Sequence, residues 1–371
     1  MRKYITFLLF FLIVFAVGCG TEAQKLSENK PKLVFRLASE LKPDSRIWEA
    51  SNLLRNELIK ESPDGEIKAG EIEIVFFDQG TVGSERALLE NCYFDVLEMV
   101  QINSSVVTML DAAYSILDLP YLFVTEEQHH NVIYGDLGQK FLNRLGEYNF
   151  VGLGFYGTGF RNLFYHQREG RGGEVTGPND LRGLKIRVME SPIMVNSINA
   201  MGATASAIPF GELFTSMKTG VVDGAENSAR IFMSYAYYEA GCNQFTLTEH
   251  FANQHIIIAN QKWFNSLEPK YQKRIMEAVA ISQKQFDEIW KTTTEESLAA
   301  MQEHGVKVNV VKDKTLFIES TDKIIEQYKR NYPKESEELL FDIINTREKY
   351  IEIDNAEEYD VDASTEGEQP E

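Results

Sequence analysis

The segment from Gly177 to Asn227 constrains the fold most, because it reads as two consecutive strand–helix units. A short alternating strand, Leu184–Val188, leads into a helical pattern that stops at Gly202. A second helical pattern stops at Gly220, and glycine tolerates the left-handed conformation that often follows a helix. Strands that alternate with helices form parallel sheets with helical crossovers. The segment therefore predicts an α/β fold.

The rest of the chain continues this alternation. Leu33–Ala38 and Ile72–Phe76 alternate as strands on either side of a helical pattern, and Phe150–Tyr156 is a further strand. The almost uninterrupted apolar run His255–Ala259 predicts a strand that is buried on both faces, in the centre of a sheet. No proline interrupts the helical pattern that runs from Pro269 to His304, so this pattern predicts one long helix.

Two polar side chains fall where ligands of open α/β sheets bind, at the carboxyl ends of strands. Arg187 lies at the end of the first predicted strand of the segment, and Asn227 follows the next. A guanidinium offers a fixed fork of donors that matches a carboxylate, and an amide both donates and accepts. The spacing by itself favours a surface arginine with its head in water, and a carboxylate-binding arginine is the alternative.

Several motifs occur in order along most of the chain: Gly83–Arg86, Leu117–Phe123, Asp180–Val188, Met201–Ala203, Phe210–Leu213, Thr219–Asn227 and Leu247-Thr248. In these motifs the chain resembles the substrate-binding proteins of tripartite ATP-independent periplasmic (TRAP) transporters, the C4-dicarboxylate-binding family in the broad sense. The resemblance implies a two-lobed periplasmic-binding-protein-like α/β fold, in which each lobe is a mixed sheet flanked by helices, with hinge crossings and a long helix that braces both lobes.

The resemblance also implies a ligand site. Arg187 aligns with the family's carboxylate-binding arginine, and Arg161 matches a second, more variable arginine of the cleft. Phe210 matches an aromatic residue that the family packs against the ligand, although a plain core phenylalanine is the alternative. Asn227 can fix the orientation of the ligand without adding charge. The family continues with proline after this asparagine, whereas this chain has Ser228.

Two further residues are weaker candidates for the same site. Glu212 could contact the ligand, but its charge also suits a helix N-terminus, and we favour the helix role. Gln101 follows an apolar element and could face the cleft from the opposite lobe.

The resemblance and the sequence pattern together divide the chain into five parts. The last twenty residues, 352–371, hold nine acids and no lysine or arginine, and such an acidic tail is expected to be disordered. The expected parts are a signal peptide (1–18), a lipid-anchored tether (19–32), lobe I (33–158 and 253–292), lobe II (159–252 and 293–346) and the tail (352–371).

The N-terminus has the pattern of a bacterial export signal. Arg2-Lys3 precedes the short apolar run Ile5–Val17, and Ala16–Cys19 resembles a lipoprotein cleavage box. The run is shorter than the roughly 20 residues of a spanning helix. We therefore expect an exported protein, in the periplasm or on the cell surface, with Cys19 as the acylated residue that attaches it to a lipid bilayer.

Charge and cysteine content narrow the partners. The formal net charge of −19 argues against nucleic acid, and no motif predicts a metal or a cofactor. Cys92 and Cys242 could form a disulfide, but we favour two separate buried side chains.

The sequence thus predicts a binding protein, not an enzyme, that captures a small organic acid and delivers it to a TRAP permease with a small and a large membrane subunit. The alternatives are a surface interaction lipoprotein on the same fold, or a secreted enzyme with an unrecognised cleft site.

Overall fold

The computed structural model describes residues 31–167 and 172–350. The expected signal peptide, the lipidation residue Cys19 and the acidic tail lie outside the described residues, as does all of the tether except its last two residues. Within the described ranges, no helix has the length and apolar character that crossing a bilayer requires.

Strands and helices alternate along the described chain as predicted. The strands are β1 Leu33–Ser39, β2 Ile72–Phe77, β3 Met99–Asn103, β4 Phe150–Tyr165, β5 Lys185–Val188, β6 Thr204–Ala207, β7 Gly224–Asn227, β8 Gln244–Asn260 and β9 Lys307–Val310. The helices are α1 Glu49–Leu58, α2 Glu85–Tyr93, α3 Glu126–Ile133, α4 Asp136–Arg144, α5 Pro192–Ala200, α6 Leu213–Thr219, α7 Ala229–Ser234, α8 Gln261–Ser266, α9 Pro269–Trp290, α10 Thr293–Glu303, α11 Thr315–Asn331 and α12 Pro333–Glu335, and residues 341–350 are also helical.

The strands form one mixed sheet in the order β2-β1-β3-β8-β4-β7-β5-β6, with β9 paired to β8. Strand β1 pairs in parallel with β2 and β3, and β5 pairs in parallel with β6 and β7. The two groups are joined by the long antiparallel pair β4 and β8. Each parallel group has its own helical crossovers, which confirms the predicted α/β class.

Strands β4 and β8 run through both halves of the sheet. Residues 150–157 of β4 pair with 254–260 of β8, beside β3; residues 160–165 pair with 244–252, beside β7. We call β1, β2 and β3 with the first of these paired stretches the first half-sheet, and β5, β6, β7 and β9 with the second the second half-sheet. The pairing is irregular where the halves meet, and Gly159 there has a φ of +69°, which glycine tolerates.

Two predicted boundaries were wrong. The strand that begins at Phe150 does not end at Tyr156 but continues to Tyr165. The single helix expected from Pro269 to His304 is two helices, because α9 ends at Trp290 and α10 begins at Thr293. Three consecutive threonines follow Lys291, and Thr293 bonds its hydroxyl to the carbonyl of Ile289 at 2.8 Å; such β-branched, self-bonding residues weaken a helix interior.

Helix α9 packs against α1 and β4, close to where the two half-sheets meet. The Tyr156 hydroxyl lies 2.7 Å from Ser282 Oγ, and the Tyr156 ring meets Phe286 edge to face. One apolar cluster includes α9 residues, Leu37 of the first half-sheet and Phe245 of the second. Helix α9 therefore supports the junction of the two halves.

Several smaller predictions are confirmed. Gly202 and Gly220 follow α5 and α6 with φ values of +100° and +78°. Residues 255–259 lie in the buried central strand β8, between β3 and β4. Cys92 and Cys242 are buried and unpaired, as favoured from the sequence.

Candidate functional site

Two adjoining cavities share the side chains of Glu85, Arg187, Met189 and Phe210, and we call their combined space the cleft. The cleft lies between the two half-sheets. The first half-sheet side contributes residues that follow β1 and begin α2, and the second contributes residues of β5 and β7. The polar side chains that line the cleft include Glu40, Ser84, Glu85, Arg86, Asn103, Ser105, Arg161, Arg187, Glu190, Asn227 and His255.

Arg187 is a buried arginine with an unsatisfied nitrogen. Its side chain is 2% exposed, its Nε donates to the carbonyl oxygen of Ile208 at 2.7 Å, and its buried Nη1 has no hydrogen-bond partner. Burial lowers the pKa of this guanidinium from its usual value. A buried donor without a partner costs free energy of folding. Its position at a cleft therefore indicates that an acceptor from a bound ligand completes its hydrogen bonding.

The surface alternative for Arg187 is therefore wrong. Strand β5 lies between β6 and β7, so Arg187 is on an internal strand, with Ser206 and Ala225 as its register neighbours. The ring of Phe210 lies 5.8 Å from the guanidinium carbon, within the range of a cation–π contact. Phe210 also meets Tyr235 edge to face, and it lines both cavities.

Arg161 lies in the same cleft but is already paired. Its Nε and Nη2 donate to the two carboxylate oxygens of Glu226, Nη2 also donates to the main-chain oxygen of Glu226 at 3.0 Å, and Nη1 donates to Asn253 Oδ1 at 2.9 Å. Glu226 is completely buried. These bonds use four of the five N–H groups of the guanidinium, so Arg161 keeps one donor for a further partner.

Asn227 lines the cleft and is oriented by the residue after it. Its Oδ1 accepts a hydrogen bond from the backbone N–H of Ser228 at 2.8 Å. A proline at position 228 has no N–H and could not make this bond. The departure from the family pattern therefore fixes the amide, with its NH2 end available as the donor.

Gln101 and Glu212 do not line the cleft. The Gln101 side chain is fully buried, donates to the carbonyl oxygen of Ile47 at 2.7 Å and accepts from Ser51 Oγ, so it ties β3 to the start of α1. Glu212 is exposed on the turn Phe210–Glu212 that precedes α6, in agreement with the favoured helix role.

Two carboxylates that line the cleft together with Arg187, those of Glu40 and Glu85, were not predicted from the sequence. The backbone N–H groups of Glu85 and Gly211 donate to Glu40 at 3.1 and 2.9 Å, and the backbone N–H of Asn103 donates to Glu85 at 2.8 Å. Burial, together with the neighbouring Glu40 carboxylate, raises the pKa of Glu85 to about 8, and burial raises the pKa of Glu40 as well. Glu85 belongs to the matching piece Gly83–Arg86, which was the available signal, and it lies in the first turn of α2 beside the capping Ser84.

A family model described as bacterial extracellular solute-binding protein, family 7 (DctP), matches residues 42–331 of the chain. A solute-binding protein of Chromohalobacter salexigens is 29% identical over 274 residues, which are 74% of this chain and 80% of that relative.

Solved structures of similar proteins share the fold. A TRAP periplasmic solute-binding protein from Chromohalobacter salexigens with bound D-glucuronate superposes with a TM-score of 0.77 at 26% identity, over 84% of this chain and 99% of that one. The sugar-acid-binding protein DctPAm from Advenella mimigardefordensis, in complex with galactonate, superposes with a TM-score of 0.78 at 27% identity, over 86% and 99% of the two chains.

Proposed function

Because the chain belongs to family 7 of the bacterial extracellular solute-binding proteins, we propose that it captures a small organic acid outside the cytoplasm, by binding and not by catalysis, and that this acid is a sugar acid. One observation carries the proposal: a buried arginine that lines the cleft between the two half-sheets has a guanidinium nitrogen without a partner. A carboxylate satisfies that nitrogen and neutralises its charge in one step.

In the proposed complex, Arg187 holds the carboxylate and the other cleft residues hold the remainder of the ligand. The one unused N–H of Arg161 and the amide NH2 of Asn227 donate to ligand oxygens, while Phe210 covers the guanidinium of Arg187. Enclosure between the half-sheets excludes water, which strengthens each charge-assisted bond. The assignment of Arg161, Arg187, Phe210 and Asn227 as ligand residues is part of the proposal; Gln101 and Glu212 are not included.

A sugar acid fits this cleft better than a carboxylic acid that has no hydroxyl groups. Hydroxyl groups need both donors and acceptors, and the cleft offers acceptors on Glu40 and Glu85 in addition to the donors. The similar proteins of known structure hold D-glucuronate and galactonate.

A ligand screen tests the proposal. We expect D-glucuronate or D-galactonate to raise the melting temperature of the protein, because a ligand present at 100 times its Kd stabilises the folded state by about 2.7 kcal/mol. D-glucose, which lacks the carboxylate, serves as the matched control. A shift with glucose but with none of the acids in differential scanning fluorimetry would contradict the proposal.

We further propose that the protein is exported, attached to a membrane through a lipid on Cys19, and delivers its ligand to the two membrane subunits of a TRAP permease. The N-terminal motif and the family membership support these steps. Two or three acyl chains would give lasting attachment, since each buried methylene contributes about 0.8 kcal/mol.

Substitution Cys19→Ser is expected to release the protein from the membrane fraction, because serine cannot carry the thioether-linked lipid. The measurement is the distribution of the protein between membrane and soluble fractions of the producing bacterium, with Cys92→Ser as the control. An unchanged membrane fraction for Cys19→Ser would refute the anchor.

A further inference from the structure

Glu40 and Glu85 sit in the cleft together with Arg187, and main-chain donors fix both carboxylates. Glu40 accepts from two backbone N–H groups, those of Glu85 and Gly211, and Glu85 accepts from that of Asn103. A carboxyl group has about four lone-pair sites when ionised and keeps acceptor capacity when protonated, so each of the two retains acceptor sites. Their positions are set before a ligand arrives, which makes them suited to recognition.

Among the described residues, no cationic side chain pairs with Glu40 or Glu85 alone. Arg161 is neutralised by Glu226, and burial lowers the pKa of His255 to about 3, so this histidine is uncharged. The charged groups that line a cavity with Glu40 or Glu85 are Lys42 after β1, Arg86 on α2, Arg161 on β4, and Arg187 and Glu190 on and after β5. Lys42 is paired with Asp44 at 3.3 Å. Arg86 is exposed, and solvent screens its charge.

Binding of a ligand carboxylate to Arg187 changes this balance. The guanidinium that partly offsets the two acids becomes occupied, and the cleft then holds no unpaired buried cation among the described residues that line it. A hydroxyl that reaches Glu40 or Glu85 gains a charge-assisted hydrogen bond, whereas a second carboxylate meets like charge.

We propose that Glu40 and Glu85 select ligands that carry one carboxylate and several hydroxyl groups, and that they exclude dicarboxylates. The inference rests on the proposed function and deepens it by naming the ligand class. The hydroxyl groups of a monocarboxylic sugar acid donate to the two glutamates, and the second carboxylate of a diacid is repelled by them.

The raised pKa of Glu85 is consistent with this arrangement. Two carboxyl groups in one enclosed space do not both ionise easily, so below its pKa of about 8 Glu85 keeps a proton and the pair carries less than its full negative charge. The remaining charge repels a second carboxylate. As the pH rises through about 8 the second carboxyl ionises, and the repulsion grows.

A matched pair of ligands tests the inference. D-Galactonate and galactarate have the same six-carbon chain and differ in whether the second end is a hydroxymethyl group or a carboxylate. Calorimetry on the full-length protein is expected to give a Kd for galactarate at least roughly 100-fold weaker than for galactonate, because like charges brought together cost several kcal/mol.

Glu85→Gln and Glu40→Gln keep the shape of the side chain and remove its charge. At pH 9, above the Glu85 pKa of about 8, each is expected to strengthen galactarate binding by tenfold or more, while Glu212→Gln, on the exposed turn outside the cleft, leaves both ligands unchanged. The unmodified protein gives a second measurement that does not depend on a variant folding. The ratio of the galactarate Kd to the galactonate Kd is expected to fall about tenfold when the pH is lowered from 9 to 6. The two glutamates gain protons over this range, while the diacid stays ionised.

The outcomes separate the two proposals. Equal binding of the monoacid and the diacid, or a preference that neither Gln substitution changes, overturns the selection by Glu40 and Glu85 and leaves the proposed function standing. Failure of every sugar acid to bind overturns the proposed function, and this inference with it.

Discussion

Substitution Arg187→Ala is expected to weaken the binding of D-glucuronate or D-galactonate by about 2–5 kcal/mol, roughly a 30- to 5,000-fold increase in Kd. The guanidinium is buried and belongs to a residue that lines the cleft, and its Nη1 has no partner, so the ligand carboxylate has no equivalent donor once it is gone. Titration calorimetry at constant pH and salt measures the change directly. An unchanged Kd would show that the carboxylate binds elsewhere.

The stability of the ligand-free protein distinguishes this role from a structural one. Arg187 makes one described side-chain hydrogen bond, to Ile208, and it carries a buried charge at a cost. We therefore expect Arg187→Ala to leave the melting temperature of the ligand-free protein unchanged or slightly raised. A large fall in that temperature would indicate that the arginine holds the fold together. The conservative variant Arg187→Lys keeps the charge but loses the fork, and it should recover little of the affinity.

Substitution Glu226→Gln is expected to lower the free energy of unfolding by about 3–5 kcal/mol, because it leaves the Arg161 charge buried without a counter-charge. Both side chains are almost completely inaccessible to water, and Glu226 receives three of the four hydrogen bonds from Arg161. Urea unfolding without ligand measures the change. Glu212→Gln, the same change on the exposed turn, is the control and should have little effect.

A double variant sharpens this second prediction. Replacing both members of the pair by apolar residues, as in Arg161→Met with Glu226→Leu, should cost less stability than Glu226→Gln alone, since no charge is then left unpaired. Strictly additive effects of the two positions would contradict the pairing. Sugar-acid binding by the double variant reports separately on the proposed role of the fifth N–H of Arg161.

Local patterns were enough to predict most of the architecture. The alternation in Ile72–Phe76 and the apolar run His255–Ala259 each report on their own burial, so both strands were found without knowledge of their partners. The break at residues 291–292 was missed because the apolar spacing continues across it. The local signal of the break is the run of three threonines, of which Thr293 bonds back to Ile289; the absence of a proline was too weak a criterion for one continuous helix.

The candidate site was predictable only in part, because several of its interacting residues lie far apart in the sequence. Arg187 could be proposed from its motif and its position at a strand end. That Arg161 is neutralised by Glu226 could not, because the contact depends on β4 pairing with β7, where Leu163 lies opposite Glu226. The role of Gln101 was missed for the same reason. Its partners Ser51 and Ile47 lie about 50 residues away along the chain, and nothing in the neighbouring sequence indicates them.

The short turn Phe210–Glu212 holds two contacts that belong to different parts of the cleft. Phe210 covers the guanidinium of Arg187, and the next residue, Gly211, donates its backbone N–H to Glu40 across the gap between the half-sheets. A shift of this one turn by a few ångströms breaks both contacts simultaneously. The two contacts are therefore coupled through one short turn, and neither depends on a movement of the long central strands β4 and β8.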